Sequence, residues 1–140
     1  MEGAMTTVLI VDSNKDSRLA LEAQLTASNQ FERVLSCPAL QHAESSINQY
    51  EVKVMLIDAE QASQSPLLHQ IKANNPELGV VLLQGKTGVL DTATLLELGA
   101  HAQTSRLAAP MEIIASVAKA LVGRLKPSKR ILGKFLKDGK

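Results

Sequence analysis

The run Val54-Met55-Leu56-Ile57-Asp58 constrains this chain more than any other stretch. Four apolar residues stop on a carboxylate, and the polar segment Ala59-Glu60-Gln61-Ala62-Ser63-Gln64-Ser65 follows. A short apolar run without alternation, bounded by polar residues, reads as a strand buried on both faces. Such strands belong to parallel sheets wrapped by helices, which carry their chemistry outside the carboxyl ends of the strands. Asp58 is thereby placed at the floor of a candidate site. The plainer alternative is that it only caps the next loop.

The same pattern recurs along the chain. Thr7-Val8-Leu9-Ile10-Val11-Asp12 is a second apolar run ending in a carboxylate. Ser13-Asn14-Lys15-Asp16 then offers N-cap chemistry and an acid for a first helical turn. Leu21 and Leu25 mark the buried face of that helix, to about Ala27, and Val34-Leu35-Ser36-Cys37 predicts a short second strand. Leu40, Ala43 and Ile47 follow at helical spacing. After the central strand, Ser65-Pro66 reads as a cap and a first helical residue, with Leu67, Leu68 and Ile71 inward and Asn74-Asn75-Pro76 as the stop. Val80-Val81-Leu82-Leu83 is a fourth buried run, ending at Gln84-Gly85. Val89, Ala93 and Leu96 predict a fourth helix, closed by Gly99. His101-Ala102-Gln103-Thr104 is the least apolar strand candidate. Pro110 opens a last helix with Ile113, Ile114, Val117 and Leu121 inward.

Strand and helix thus alternate five times with short connections. Right-handed crossovers of this kind build an α/β, doubly wound, five-stranded parallel sheet of the flavodoxin-like type. In strand order 2-1-3-4-5 the switch point lies between strands one and three. Those strands end at Asp12 and Asp58, so two carboxylates converge on one edge.

At 140 residues the chain is expected to form one domain, over 6–123, after an N-terminal extension 1–5 and before a basic tail or linker, 124–140. With 2% aromatic residues, its core must be built from Leu, Ile, Val and Ala. Of the 15 bases and 14 acids, seven and one fall from Arg124 onward, which leaves eight and thirteen before it, a net −5. The body is acidic and the tail basic. The single cysteine, Cys37, excludes an intramolecular disulfide and a cysteine-rich metal site, and reads as a small buried hydrophobe. No long apolar segment is present, so a soluble, cytoplasmic protein is expected. His42, His69 and His101 are scattered without metal-ligand spacing. Gly85-Lys86-Thr87-Gly88 lacks the rest of a phosphate loop, and no G-x-G-x-x-G follows the first strand, which argues against nucleotide hydrolysis and dinucleotide binding. No Ser-His-Asp or Cys-His arrangement supports a nucleophilic enzyme. The tail places Ile131, Leu132, Phe135 and Leu136 at helical spacing between cations. It reads as a linker to a missing effector domain, a segment that docks on an acidic patch, a contact to anionic lipid or nucleic acid, or simply a solvated extension.

In order and spacing the sequence resembles the receiver domain of two-component response regulators. The resemblance spans roughly residues 6–123. Its carriers are Val8-Leu9-Ile10-Val11-Asp12-Ser13 with Arg18 five residues on, Val54-Met55-Leu56-Ile57-Asp58, and Leu98-Gly99-Ala100 before the last strand. The resemblance implies that Asp58 is the candidate phosphoacceptor for a histidine kinase, with Mg2+ held by Asp12, the Ser13 position and Asp58. It also implies a hydroxyl, a lysine and a switch aromatic at the positions of Gln84, Arg106 and Gln103. Phosphoryl transfer needs positioning and charge neutralisation. Mg2+ favours carboxylate and water oxygens, and a lysine and a hydroxyl stabilise equatorial oxygens.

Only Asp12 and Asp58 match the pattern intact. Ser13 removes a charged ligand, so any Mg2+ site is weak. Arg106 keeps the charge of a lysine but offers a planar fork, equally suited to pairing with Asp58. Leu107 stands where proline is usual, which predicts a trans peptide. Gln84 and Gln103 leave the hydroxyl–aromatic coupling without its parts. The chain therefore resembles an atypical, degenerate receiver, a pseudo-receiver. Its expected mode is protein–protein contact with a kinase, a phosphotransfer protein or an effector, and residues 88–123 are the expected partner or dimer surface. Neither nucleic acid nor membrane is expected as a partner of this chain alone. The alternatives are a conventional Mg2+-dependent phospho-accepting receiver, whose only catalysis is its own phosphorylation and dephosphorylation, and a phosphorylation-independent scaffold or targeting module.

Overall fold

A computed structural model describes residues 6–85 and 90–124. Five parallel strands, β1 (Thr7–Val11), β2 (Arg33–Cys37), β3 (Val54–Asp58), β4 (Gly79–Gln84) and β5 (Ala102–Ser105), form one sheet in the order β2-β1-β3-β4-β5. The helices are α1 (Lys15–Ala27), α2 (Ala43–Tyr50), α3 (Ala59–Gln64), α4 (Leu67–Asn74), α5 (Thr92–Glu97) and α6 (Pro110–Gly123). A 3-10 turn, Leu40–His42, leads into α2. The doubly wound architecture expected from the apolar runs is the one observed.

The two-fold alternation of a strand sorts its side chains onto two cores. Leu9, Val11, Met55, Ile57, Val80 and Leu82 pack with Ile47 of α2, Ala62 of α3, Leu68 and Ile71 of α4, and Leu95 of α5. Val8, Ile10, Leu56, Val81 and Leu83 pack on the other face with Leu21 and Leu25 of α1 and Ile113, Val117 and Ala120 of α6. Because β1, β3 and β4 feed both cores, every one of their residues is buried. β2 and β5 are the edges and are only partly covered. This explains the low apolar content of β5. Cys37 is buried as expected, and burial pushes its thiol up, against smaller opposing effects of a backbone hydrogen bond at Ala39 and the Arg18 charge.

Two expectations need correction. The polar segment after Asp58 is not a loop: Ala59–Gln64 forms α3, so among the described residues six helices stand where five were expected. Asp58 caps it by accepting the Glu60 amide at 3.1 Å, and Ala62 is its one buried side chain. Six residues whose apolar members are two alanines, Ala59 and Ala62, carry too little periodicity to announce a helix. The fourth expected helix, here α5, has another buried face. Leu95 is buried while Ala93 and Leu96 are exposed, and Val89 lies outside the described residues. Adjacent Leu95 and Leu96 fit two helical phases, and the Asp91 cap, whose side chain accepts the Thr94 amide, selects the observed one. That amide also holds the Asp91 carboxyl below its ordinary range. Gly99, at φ 81°, ends α5 as expected.

Close approach of α6 to the sheet depends on Gly79. A Cβ there would lie 3.1 Å from the Ala120 carbonyl oxygen and 3.2 Å from Val54 Cγ2. Beside it, His101 exchanges two hydrogen bonds with Val80. Its amide donates to the Val80 carbonyl at 2.8 Å, and its Nδ1 accepts the Val80 N–H at 3.0 Å. Burial, and then the Lys72 ammonium, lower the imidazole to about 4. Lys72, itself lowered by burial, donates to the Leu78 and Pro76 carbonyls.

Gly79→Ala should cost about 1–3 kcal/mol by overpacking this contact, read as a lower urea midpoint. His101 binds its proton more readily in the unfolded chain, so stability should be full above pH 6.5 and fall as pH drops toward 4. In His101→Asn, Oδ1 replaces the Nδ1 acceptor without titrating. Urea melts of this variant should show a flatter pH dependence across that window.

Candidate functional site

The carboxyl edge of the sheet is built at its switch point. β1 and β3 pair in register from Val8↔Val54 to Val11↔Ile57, which brings the next residues, Asp12 and Asp58, side by side. Asp12 is fully buried and Asp58 nearly so. Two adjacent buried carboxylates repel each other and lose hydration, so they require a counter-charge.

Arg106 supplies it from the connection after β5. Its Nη2 lies 3.0 Å from Asp58 Oδ1, and its Nη1 lies 3.6 Å from Asp12 Oδ1. One guanidinium thus spans both carboxylates through different nitrogens, which a single ammonium centre cannot reproduce. The expected pairing of Arg106 with Asp58 is present, and it extends to Asp12. Two acids and one base leave the cluster formally at −1.

Backbone contacts hold each partner. Asp12 Oδ1 accepts the Asn14 amide at 3.0 Å, and the Asn14 side chain accepts the Ser17 amide as the cap of α1. Arg18 Nη1 donates to the Asp12 carbonyl at 2.8 Å. The Arg106 amide donates to the Gln84 carbonyl at 3.1 Å, continuing the β4–β5 pairing. Ser105 Oγ accepts the Leu107 amide, and its carbonyl accepts the Ala108 amide, which turns the chain toward α6. The Arg106–Leu107 peptide is trans, as the absence of proline predicts, and Leu107 is 80% exposed.

The other expected site residues behave differently. Ser13 is exposed. Gln84 is buried, but its Nε2 donates to Gln103 Oε1 at 3.0 Å. Gln103 in turn accepts the Leu90 amide at 2.9 Å and donates to the Leu90 carbonyl at 2.7 Å. The hydroxyl–aromatic pair is absent, yet the two positions are in contact through carboxamides. That contact was not foreseen; facing glutamines at the carboxyl ends of neighbouring strands were its only signal. Lys86, Thr87 and Gly88, named for a partial phosphate loop, lie outside the described residues, as does the tail beyond Arg124. His42 and His69 are exposed. Among the described residues no three His, Cys, Asp or Glu side chains gather as a metal site, and no helix is long and apolar enough to cross a membrane.

A divalent cation would need the carboxylates that Arg106 already contacts. The residues present therefore fit a tethered guanidinium better than Mg2+. Asp12 Oδ2 is the one buried carboxylate oxygen with no hydrogen-bond partner among the described residues.

Solved structures share this architecture. A response regulator receiver domain protein from Clostridium thermocellum superposes with a TM-score of 0.71 at 14% identity, over 86% of this chain and 97% of that one. The chain has the receiver-domain fold. NtrX from Brucella abortus matches with a TM-score of 0.71 at 20% identity, over 96% of this chain and 29% of its own. The isolated receiver domain of RcsB from Salmonella enterica serovar Typhimurium, solved with the phosphomimetic BeF3-, matches with a TM-score of 0.66 at 14% identity, over 86% and 99%. No family model and no curated protein sequence matches the chain.

Removing the fork should be costly, because it leaves two buried acids without a counter-charge. Arg106→Met should lower the unfolding free energy by on the order of 3 kcal/mol. Asp58→Asn added to it should restore part of the loss, giving a coupling of about 1–2 kcal/mol in a double-mutant cycle.

Proposed function

We propose that this chain is a receiver-type signalling module of the response-regulator class that works through protein–protein contact, with its two site acids paired to an internal guanidinium. The observation that carries this reading is the Arg106 guanidinium spanning Asp12 and Asp58. In a phospho-accepting site the acids hold Mg2+ and the acceptor carboxylate must be free to attack phosphorus. Here the acceptor candidate, Asp58, already carries a close ion pair and an amide donor. Attack would require the fork to release it, and Mg2+ would compete with a cation tethered by the backbone.

The arrangement supports a site whose acids stay ion-paired. On this reading Asp58 and Asp12 are structural acids, Arg106 is their counter-ion, and Mg2+ binds weakly. The receiver fold supplies surfaces to a kinase, a phosphotransfer protein or an effector, as it does where receivers form part of larger chains. The partner surface is assigned to the described part of residues 88–123, and a dimer through it is the self-associated form of the same contact. Its exposed apolar side chains, Leu96, Leu107, Met111 and Val122, support this assignment.

Intact mass after incubation with Mg2+ and acetyl phosphate tests the proposal, with Asp58→Asn alongside and a competent receiver as positive control. The expected result is no phosphoryl adduct on this chain. A single adduct that disappears in Asp58→Asn would overturn the proposal in favour of a conventional phospho-accepting receiver.

A further inference from the structure

We infer that Gln103 is a positioning residue that ties the entry of α5 to the sheet, and does so independently of the charge state of Asp58. The carboxamide of Gln103 makes three hydrogen bonds. Its oxygen accepts from Gln84 Nε2 at 3.0 Å and from the Leu90 amide at 2.9 Å, while its nitrogen donates to the Leu90 carbonyl at 2.7 Å. Leu90 is thus held by both of its main-chain polar groups, two residues before α5 begins.

The placement follows from the pleat. Gln84 continues the face of Val80 and Leu82, which packs against α2 to α5. Gln103 is one step along β5 from Ala102, whose side chain lies in the opposite core, so Gln103 faces the α5 side as well. Register pairs Leu82 with Gln103 and Gln84 with Ser105, which sets the two glutamines diagonally across neighbouring strands. At that spacing long side chains reach each other. Leu90 packs against the same core that receives Leu95 of α5, so a fixed Leu90 fixes the approach of the helix.

Independence from Asp58 rests on the partners involved. Asp58 contacts Arg106 and the Glu60 amide, and Asp12 contacts Arg106 and the Asn14 amide. None of these groups belongs to the carboxamide cluster. Among the described residues the two networks share one hydrogen bond, from the Arg106 amide to the Gln84 carbonyl, an ordinary rung between β4 and β5. Neither glutamine titrates, so a change of charge at the acidic pair gives this cluster no reason to rearrange. Rotating Gln103 away would break all three bonds together. The inference concerns how α5 is presented, and it holds whether or not Asp58 accepts a phosphoryl group.

Amide hydrogen exchange followed by NMR on the whole chain tests it, with Val81 and Leu83 as reference amides in the central sheet. Gln103→Met keeps the length of the side chain and removes every hydrogen bond. It should accelerate exchange at Leu90 at least tenfold and leave the reference amides unchanged. Gln103→Glu keeps the acceptor and loses the donor, and should give a smaller acceleration at the same amide. That variant carries the test should the methionine variant fail to fold. Asp58→Asn should leave exchange at Leu90 and through 92–97 as in the wild type. Unchanged Leu90 exchange in a folded Gln103 variant would overturn the positioning role. Accelerated Leu90 exchange in Asp58→Asn would overturn its independence.

Discussion

Two carboxylates buried side by side are unstable unless something positive meets them, and much of the carboxyl edge is arranged around that need. Parallel pairing of β1 with β3 forces Asp12 and Asp58 together. Their burial removes the water that would otherwise screen them. The Arg106 fork answers both at once, with one terminal nitrogen directed to each acid. The loop after β5 is then constrained as well, because the guanidinium reaches the pair only if the chain turns toward α6 where it does. Ser105 secures that turn through its hydroxyl and its carbonyl.

The choice of arginine has chemical consequences. A lysine presents one compact charge and must favour one position between the acids. A planar guanidinium distributes its charge over separated donors, so it bridges and pins both side chains. In each acid the bridge engages Oδ1. Beside it, Gln84 and Gln103 form a neutral cluster with its own attachment to the start of α5. The edge therefore holds two polar networks of different character. One is charged and joins β1, β3 and the loop after β5. The other is uncharged and joins β4, β5 and the entry of α5.

At the opposite edge the polar groups serve the backbone. His101 completes an exchange of hydrogen bonds with Val80, and the half-buried Lys72 satisfies two carbonyls near the start of β4. Gly79 lets α6 close over this region. The two edges of one sheet thus use ionisable residues for different ends. The amino edge uses them to complete main-chain pairing, and the carboxyl edge concentrates charge.

Much of this was legible in the residues themselves. Unbroken apolar runs can be buried only between two layers, which made Val54–Asp58 and its counterparts parallel strands. Runs ending in Asp12 and Asp58 predicted that two carboxylates share one edge, which the β1–β3 register bears out. Short elements were not legible: α3 has one buried alanine, and α5 has two adjacent leucines compatible with either phase. Sequence order also left open what Arg106 would touch, since 48 positions separate it from Asp58 and several partners were chemically acceptable. Only the tertiary structure decided that, because the reach of a side chain depends on strand register and loop path. The same holds for the glutamines, whose contact arises from a diagonal across β4 and β5 and from no pattern along the chain. Burial is written locally in composition and spacing, whereas the pairing of polar groups is settled by geometry between distant segments.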